Sequence, residues 1–262
     1  MGKRKTSELR TPDTRFSHTK QKNSEKTFYI NQSKTIDFSQ AHKELQRVNK
    51  RPVTLVPKSL NQEKYILALL DENTDIVVVG GPAGTGKTYL AMQAAIKAMR
   101  DGECDRIILT RPAVGVDDEK HGFLPGDLNQ KMEPWTRPLL DVLREYYTAA
   151  EIAHMLEEQI VEIAPLAFCR GRNFKNSWIV LDEAQNATPS QLKMIMTRIG
   201  VNSKIVITGD IEQADRRTAD NGLLDLQNRL GKGVIPGLQL CHFDIKDVQR
   251  HRIIEHVLKL YS

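Results

Sequence analysis

Eight residues from Gly81 to Thr88 read Gly-Pro-Ala-Gly-Thr-Gly-Lys-Thr, the spacing G-x-x-x-x-G-K-[ST] that cradles phosphate. Backbone N–H groups can ring a polyphosphate only where side chains leave room. Gly81, Gly84 and Gly86 lack a Cβ and can turn their amides inward, with Pro82, Ala83 and Thr85 completing the loop. Lys87 offers a mobile positive charge to the β- and γ-phosphates, and Thr88 offers a hydroxyl of the kind that ligates Mg2+. Further along, the apolar run Trp178 to Leu181 leads directly into Asp182 and Glu183. At the C-terminal edge of a buried strand, Asp182 is placed to hold Mg2+ and Glu183 to polarise an attacking water as general base. The plainer alternative, acids capping the next helix, accounts for either residue singly. A third segment, "VITGDIEQ", brings Thr208, Gly209, Asp210 and Gln213 to the same edge. Gln213 is the candidate sensor of a γ-phosphate, with a turn closed by the Asp210 side chain as the structural alternative.

The pairing of Asp182 with Glu183 discriminates between reactions. A small-molecule kinase must exclude water and has no use for a water-activating glutamate beside a metal-binding aspartate, whereas an NTP hydrolase needs one. Guanine selectivity would call for Asn-Lys-x-Asp, but the one Asn-Lys pair, Asn49-Lys50, runs on into Arg51 and Pro52. The nucleotide expected is therefore ATP with Mg2+.

The elements that must position these groups alternate. A helix is expected over Asn61–Leu70, then a strand Asp75–Val79, the phosphate loop, and a helix from Lys87 to about Arg100. Strands follow at 106–110, 160–164, 178–185 and 204–210, with a mostly helical insertion at about 115–158 and a helix from about Ser190 to Ile199. An apolar "LQLCHF" and a terminal helix close the chain. Strands alternating with helices predict an α/β fold with a mainly parallel sheet covered on both faces. The 262 residues contain no apolar run long enough to span a bilayer and no signal-peptide core at the start, so a soluble, cytoplasmic protein is expected. Three widely separated cysteines suit buried thiols rather than disulfides or a zinc cluster.

Charge is uneven. Residues 1–50 hold 12 Lys and Arg against 5 Asp and Glu, leaving 26 against 28 for residues 51–262. That polar, basic head is expected to be at least partly disordered and flexible, suited either to non-specific nucleic-acid contact or to a solvated tail. The domain reading is thus 1–50 for the head and 51–262 for the ATPase domain.

The wording "GPAGTGKT", "ILTRPAV", "GFLPGDLNQKMEPWTRPLLD", "AFCRGRNFKNSWIVLDEAQNAT", "KIVITGDIEQ" and "DVQRHRI" resembles the PhoH family of phosphate-starvation-inducible ATPases, from about residue 52 to the end. The resemblance implies a RecA-like P-loop NTPase core, similar to the motor domain of superfamily 1 helicases, and a hexameric ring. It implies that Gln62 reads the adenine edge and that Arg111 and residues 122–131 lie where related motors approach single-stranded RNA or DNA. It makes Arg170, Arg172, Arg250 and Arg252 candidates for a transition-state arginine. The chain has Gln-Arg-His-Arg where members commonly have Val-Arg-His-Pro, so both Arg250 and Arg252 stay in play. Some relatives carry an attached nuclease domain that has no counterpart in this reading, so RNA cleavage is not implied. Roughly 210 residues hold one motor domain where a monomeric helicase needs two, which again points to a homo-oligomer that shares its sites. A nucleotide-dependent switch or scaffold without motor activity is the alternative. Phe123, Trp135, Tyr146 and Tyr147 fit core packing better than base stacking.

Overall fold

The computed structural model describes residues 52–112, 137–214, 221–231 and 233–249. The basic head, residues 122–131, Phe123, Trp135, Arg250, Arg252 and the expected terminal helix lie outside the described residues. Among the described residues six strands form one sheet: β1 (Ile76–Gly80), β2 (Arg106–Arg111), β3 (Val161–Pro165), β4 (Ser177–Leu181), β5 (Lys204–Gly209) and β6 (Leu238–His242). Their order is β3-β2-β4-β5-β1-β6, and every pairing is parallel. This is the α/β class expected of a P-loop NTPase with a RecA-like core. One strand, β5, separates the strand that leads into the glycine loop from the strand that ends in the two acids.

Side-chain alternation along the strands divides the core in two. Val77, Val79, Ile107, Leu109, Val180 and Val206 face one layer, packed against α1 (Leu60–Leu70), α2 (Lys87–Asp101), a helical segment at 137–144 and α3 (Ala149–Glu157). Val78, Ile108, Ile179, Leu181, Ile205 and Ile207 face the other, against α4 (Pro189–Met196) and α5 (Gly222–Leu230). With both faces covered, the central strands are apolar without interruption, the pattern of a buried parallel sheet. Tyr146 and Tyr147 are buried in the first layer, in keeping with a packing role. No helix among the described residues is long and apolar enough to cross a membrane.

The elements differ from expectation at three places. The strand expected over 178–185 stops at Leu181, and a short helical turn, Ala184–Asn186, takes over after the two acids. α4 stops at Met196, short of Ile199, after starting on a Thr188–Gln191 capping box with Pro189 at its first position. α5 occupies a stretch where the sequence reading named no element. Asn221 caps it, accepting from the Leu224 amide, and Leu223 and Leu226 turn inward at helical spacing.

Candidate active site

The loop between β1 and α2 is shaped by glycine. Gly81 has φ 148° and Gly86, at the helix N-cap, φ 85°. A Cβ on Gly81 would stand 2.4 Å from the Phe243 carbonyl oxygen, so the loop closes onto the segment after β6 only with glycine there. No side chain caps the N-terminus of α2 and no acid lies in its first turn, so its amides and its positive dipole end are open to an anion. Lys87 is only 8% exposed. Its Nζ donates to the carbonyls of Gly81 and Pro82, both at 2.7 Å, folding the charge over the loop it serves.

Loop and acidic strand meet directly. Thr88 Oγ1 donates to Asp182 Oδ1 at 2.8 Å, and Thr208 Oγ1 donates to the same oxygen at 2.7 Å. The Asp182 backbone amide donates to the Thr110 carbonyl at 3.0 Å, so β2, through that backbone contact, and β5, through Thr208, both fix the residue that follows β4. Glu183 follows with φ 55° and ψ 42°, a left-handed conformation that a non-glycine residue keeps only where its surroundings dictate it. Its Oε1 lies 3.8 Å from the Arg111 guanidinium and its Oε2 accepts from Gln185 Nε2.

Two residues were not assigned site roles from sequence. Asp210 is 8% exposed; its Oδ2 accepts from the Ala83 amide of the loop at 3.0 Å, and its Oδ1 accepts from the Glu212 amide at 3.1 Å. The local turn weighed as an alternative at this strand end is therefore present, and the same carboxylate also ties β5 to the phosphate loop. Gln185 is fully buried and accepts from the Asp210 amide at 3.0 Å. Neither role has a residue-type signature, because each works through a backbone amide that any sequence supplies.

The remaining candidates are more scattered. Gln213 stands exposed in the short turn Ile211–Gln213. Gln62 is buried behind the loop, donating to the Thr85 carbonyl at 2.9 Å and accepting from the Lys58 amide at 2.7 Å, so both ends of its amide are engaged by protein. Arg170 is exposed beyond β3. Arg172 is paired with Glu162, with one contact at 2.7 Å, and lies 4.6 Å from the Phe174 ring centroid; the hydrogen bonds to Glu162 push its pKa up. Residues before Arg250 nonetheless reach the loop, since the Gln249 amide donates to the Gly84 carbonyl at 2.8 Å. Asp247 steadies that segment, accepting from Asn61 Nδ2 and from the Asp244 amide, each at 2.8 Å.

The residues fit a magnesium-bound nucleoside triphosphate. The oxygen donors at Thr88 and Asp182 suit a hard cation, and the glycine-lined, uncapped helix start suits phosphate.

Comparison with known proteins gives a family match over most of the chain. The family model described as "PhoH-like protein" matches residues 54–262. A PhoH-like protein of Synechocystis sp. is 44% identical over 205 residues, covering 78% of this chain and 61% of the relative. One from Bacillus subtilis is 40% identical over 225 residues, covering 86% and 69%. Protein PhoH of Escherichia coli is 38% identical over 204 residues, covering 77% and 56%. The chain thus spans about three fifths of the length of several curated relatives. Among solved structures, the Pyrococcus furiosus Hef helicase domain is similar with a TM-score of 0.43 and 14% identity, over 74% of this chain and 39% of that one. AMPPCP-bound DnaA from Aquifex aeolicus has a TM-score of 0.34 and 17% identity, over 80% and 53%.

Proposed function

The chain belongs to the PhoH family, and we propose from its site that it binds ATP with Mg2+ and hydrolyses it as a subunit of a homo-oligomeric ring acting on single-stranded RNA or DNA. The observation that carries this reading is the shared Asp182 oxygen, where a hydroxyl of the glycine loop and a hydroxyl of β5 meet the acidic strand end.

In this reading the loop amides from Gly81 to Thr88 and the start of α2 hold the phosphates. Lys87 exchanges its two carbonyl contacts for β- and γ-phosphate oxygens. Thr88 and Asp182 would hold Mg2+, which would supply positive charge against the phosphates. Glu183, the residue that follows Asp182 at the end of β4, takes the proton of the attacking water. Gln213 senses the γ-phosphate, and Gln62 reads the adenine edge after giving up one of its protein partners. The charge on the transferred phosphoryl group needs an arginine, worth roughly 10³ to 10⁵ in rate. Arg172 is engaged by Glu162 within its own chain, which favours donation from a neighbouring subunit by Arg170, Arg250 or Arg252.

The test of hydrolysis is Glu183→Gln. Nucleotide titration is expected to give unchanged affinity while phosphate release is lost; undiminished phosphate release would remove Glu183 from its role. Action on nucleic acid is tested by the ATPase rate with RNA, single-stranded DNA and duplex over a salt series. Stimulation by single strands that falls steeply with salt is expected, because phosphate contacts release counterions. A rate indifferent to all three would favour a switch or scaffold instead.

A further inference from the structure

Gln185 has no exposed surface, and both halves of its amide are committed to site residues. Oε1 accepts from the Asp210 amide at 3.0 Å, and Nε2 donates to Glu183 Oε2. Asp210 in turn accepts from the Ala83 amide at 3.0 Å. Three consecutive hydrogen bonds therefore run from the phosphate loop to the Glu183 carboxylate, across the ends of three strands.

The surroundings are built for this residue. Glu183 sits in a left-handed conformation that needs external support, and among the described residues its other carboxylate oxygen meets the Arg111 guanidinium at 3.8 Å. Gly209 leaves room for the amide, since a Cβ there would stand 2.6 Å from Gln185 Oε1. The chemistry demands an acceptor toward Asp210 and a donor toward Glu183. A carboxamide supplies both; an ionised carboxylate supplies only the first, and an aliphatic chain supplies neither.

We propose that Gln185 is the positioning residue that aims the Glu183 carboxylate at the attacking water and fixes it relative to the phosphate loop. This rests on the reading of Glu183 as the base. Gln185 does not itself touch the nucleotide.

The test uses the full chain with Gln185→Glu, Gln185→Leu and Glu183→Gln, measuring ATP-analogue affinity, kcat, KM and thermal unfolding. Gln185→Glu keeps the side-chain volume and the acceptor for Asp210 but removes the donor to Glu183. Its kcat is expected to fall by about 10- to 100-fold, the size of effect seen when a reacting group is misplaced by an ångström. Analogue affinity should stay within about threefold of wild type. Unchanged kcat in Gln185→Glu overturns the proposal. So does loss of analogue affinity or of folding in step with kcat, which marks a structural role. Should Gln185→Leu not fold, Gln185→Glu decides. If Glu183→Gln keeps its turnover, the base assignment itself fails; if Glu183→Gln is dead and the Gln185 variants are not, only the positioning role fails.

Discussion

Asp182 takes two hydroxyl donors on a single oxygen, and each donor comes from a different strand end or loop. Removing one without changing shape isolates its contribution. Thr208→Val leaves a half-buried carboxylate short of a partner and is expected to cost about 1–3 kcal/mol of stability. A thermal melt of nucleotide-free protein checks this, with a lowering on the order of 2–4 °C per kcal/mol for a domain of this size. Lys87→Ala is expected to lower nucleotide affinity sharply in a fluorescence titration, because no other cation of the loop can reach the β- and γ-phosphates. At this scale the sequence was most legible where chemistry dictates residue type. A cradle needs glycines, a metal needs hard oxygens, and a water needs a base, so Gly81 to Thr88, Asp182 and Glu183 could be singled out without coordinates. Asp210 and Gln185 could not, since what they do depends on which amide lies beside them in space.

Strands were legible because a parallel sheet buried on both faces must be written as unbroken apolar runs, as Val77–Val79 and Trp178–Leu181 are. Helix ends were less so, and α5 was missed because Gly222 and the polar residues on its outer face dilute the apolar spacing. Gly222 is nevertheless fixed by packing. A Cβ there would stand 2.7 Å from backbone atoms of Ala187 and Thr188, in the turn that follows Glu183 and Gln185. Gly222→Ala is expected to destabilise by about 1–3 kcal/mol in a urea titration, by overpacking against rigid backbone. The segment after β6 has its own signature in pH. Burial pushes the Asp247 carboxyl up, but hydrogen bonds from Asn61, Ser59 and the Asp244 amide outweigh it and hold the group below its ordinary value. A depressed folded pKa gives stability that is present above the unfolded carboxylate value of about 4 and is lost as pH falls through the folded one. Asp247→Asn should flatten that acid limb in denaturation midpoints measured from neutral pH downward.

At the scale of the assembly, the proposal of shared sites rests on an arginine donated by a neighbouring subunit. Mixing Lys87→Ala subunits with wild type is expected to depress ATPase activity more steeply than the mutant fraction. A fall in simple proportion would mean that each subunit works alone. Assembly was the level least written in the sequence, because no residue type marks an arginine as destined for a neighbour's site. The topology adds a consequence in time. β1, which launches the phosphate loop, is paired at Ile76 with Ile205 on one side and Leu238 on the other. Both flanking strands emerge from the ribosome more than a hundred residues after it. Closing loops of that span is entropically slow, so the cradle is a late product of folding rather than a local module. A nascent chain halted before β5 would carry every residue of the glycine loop and still have no grip on a triphosphate.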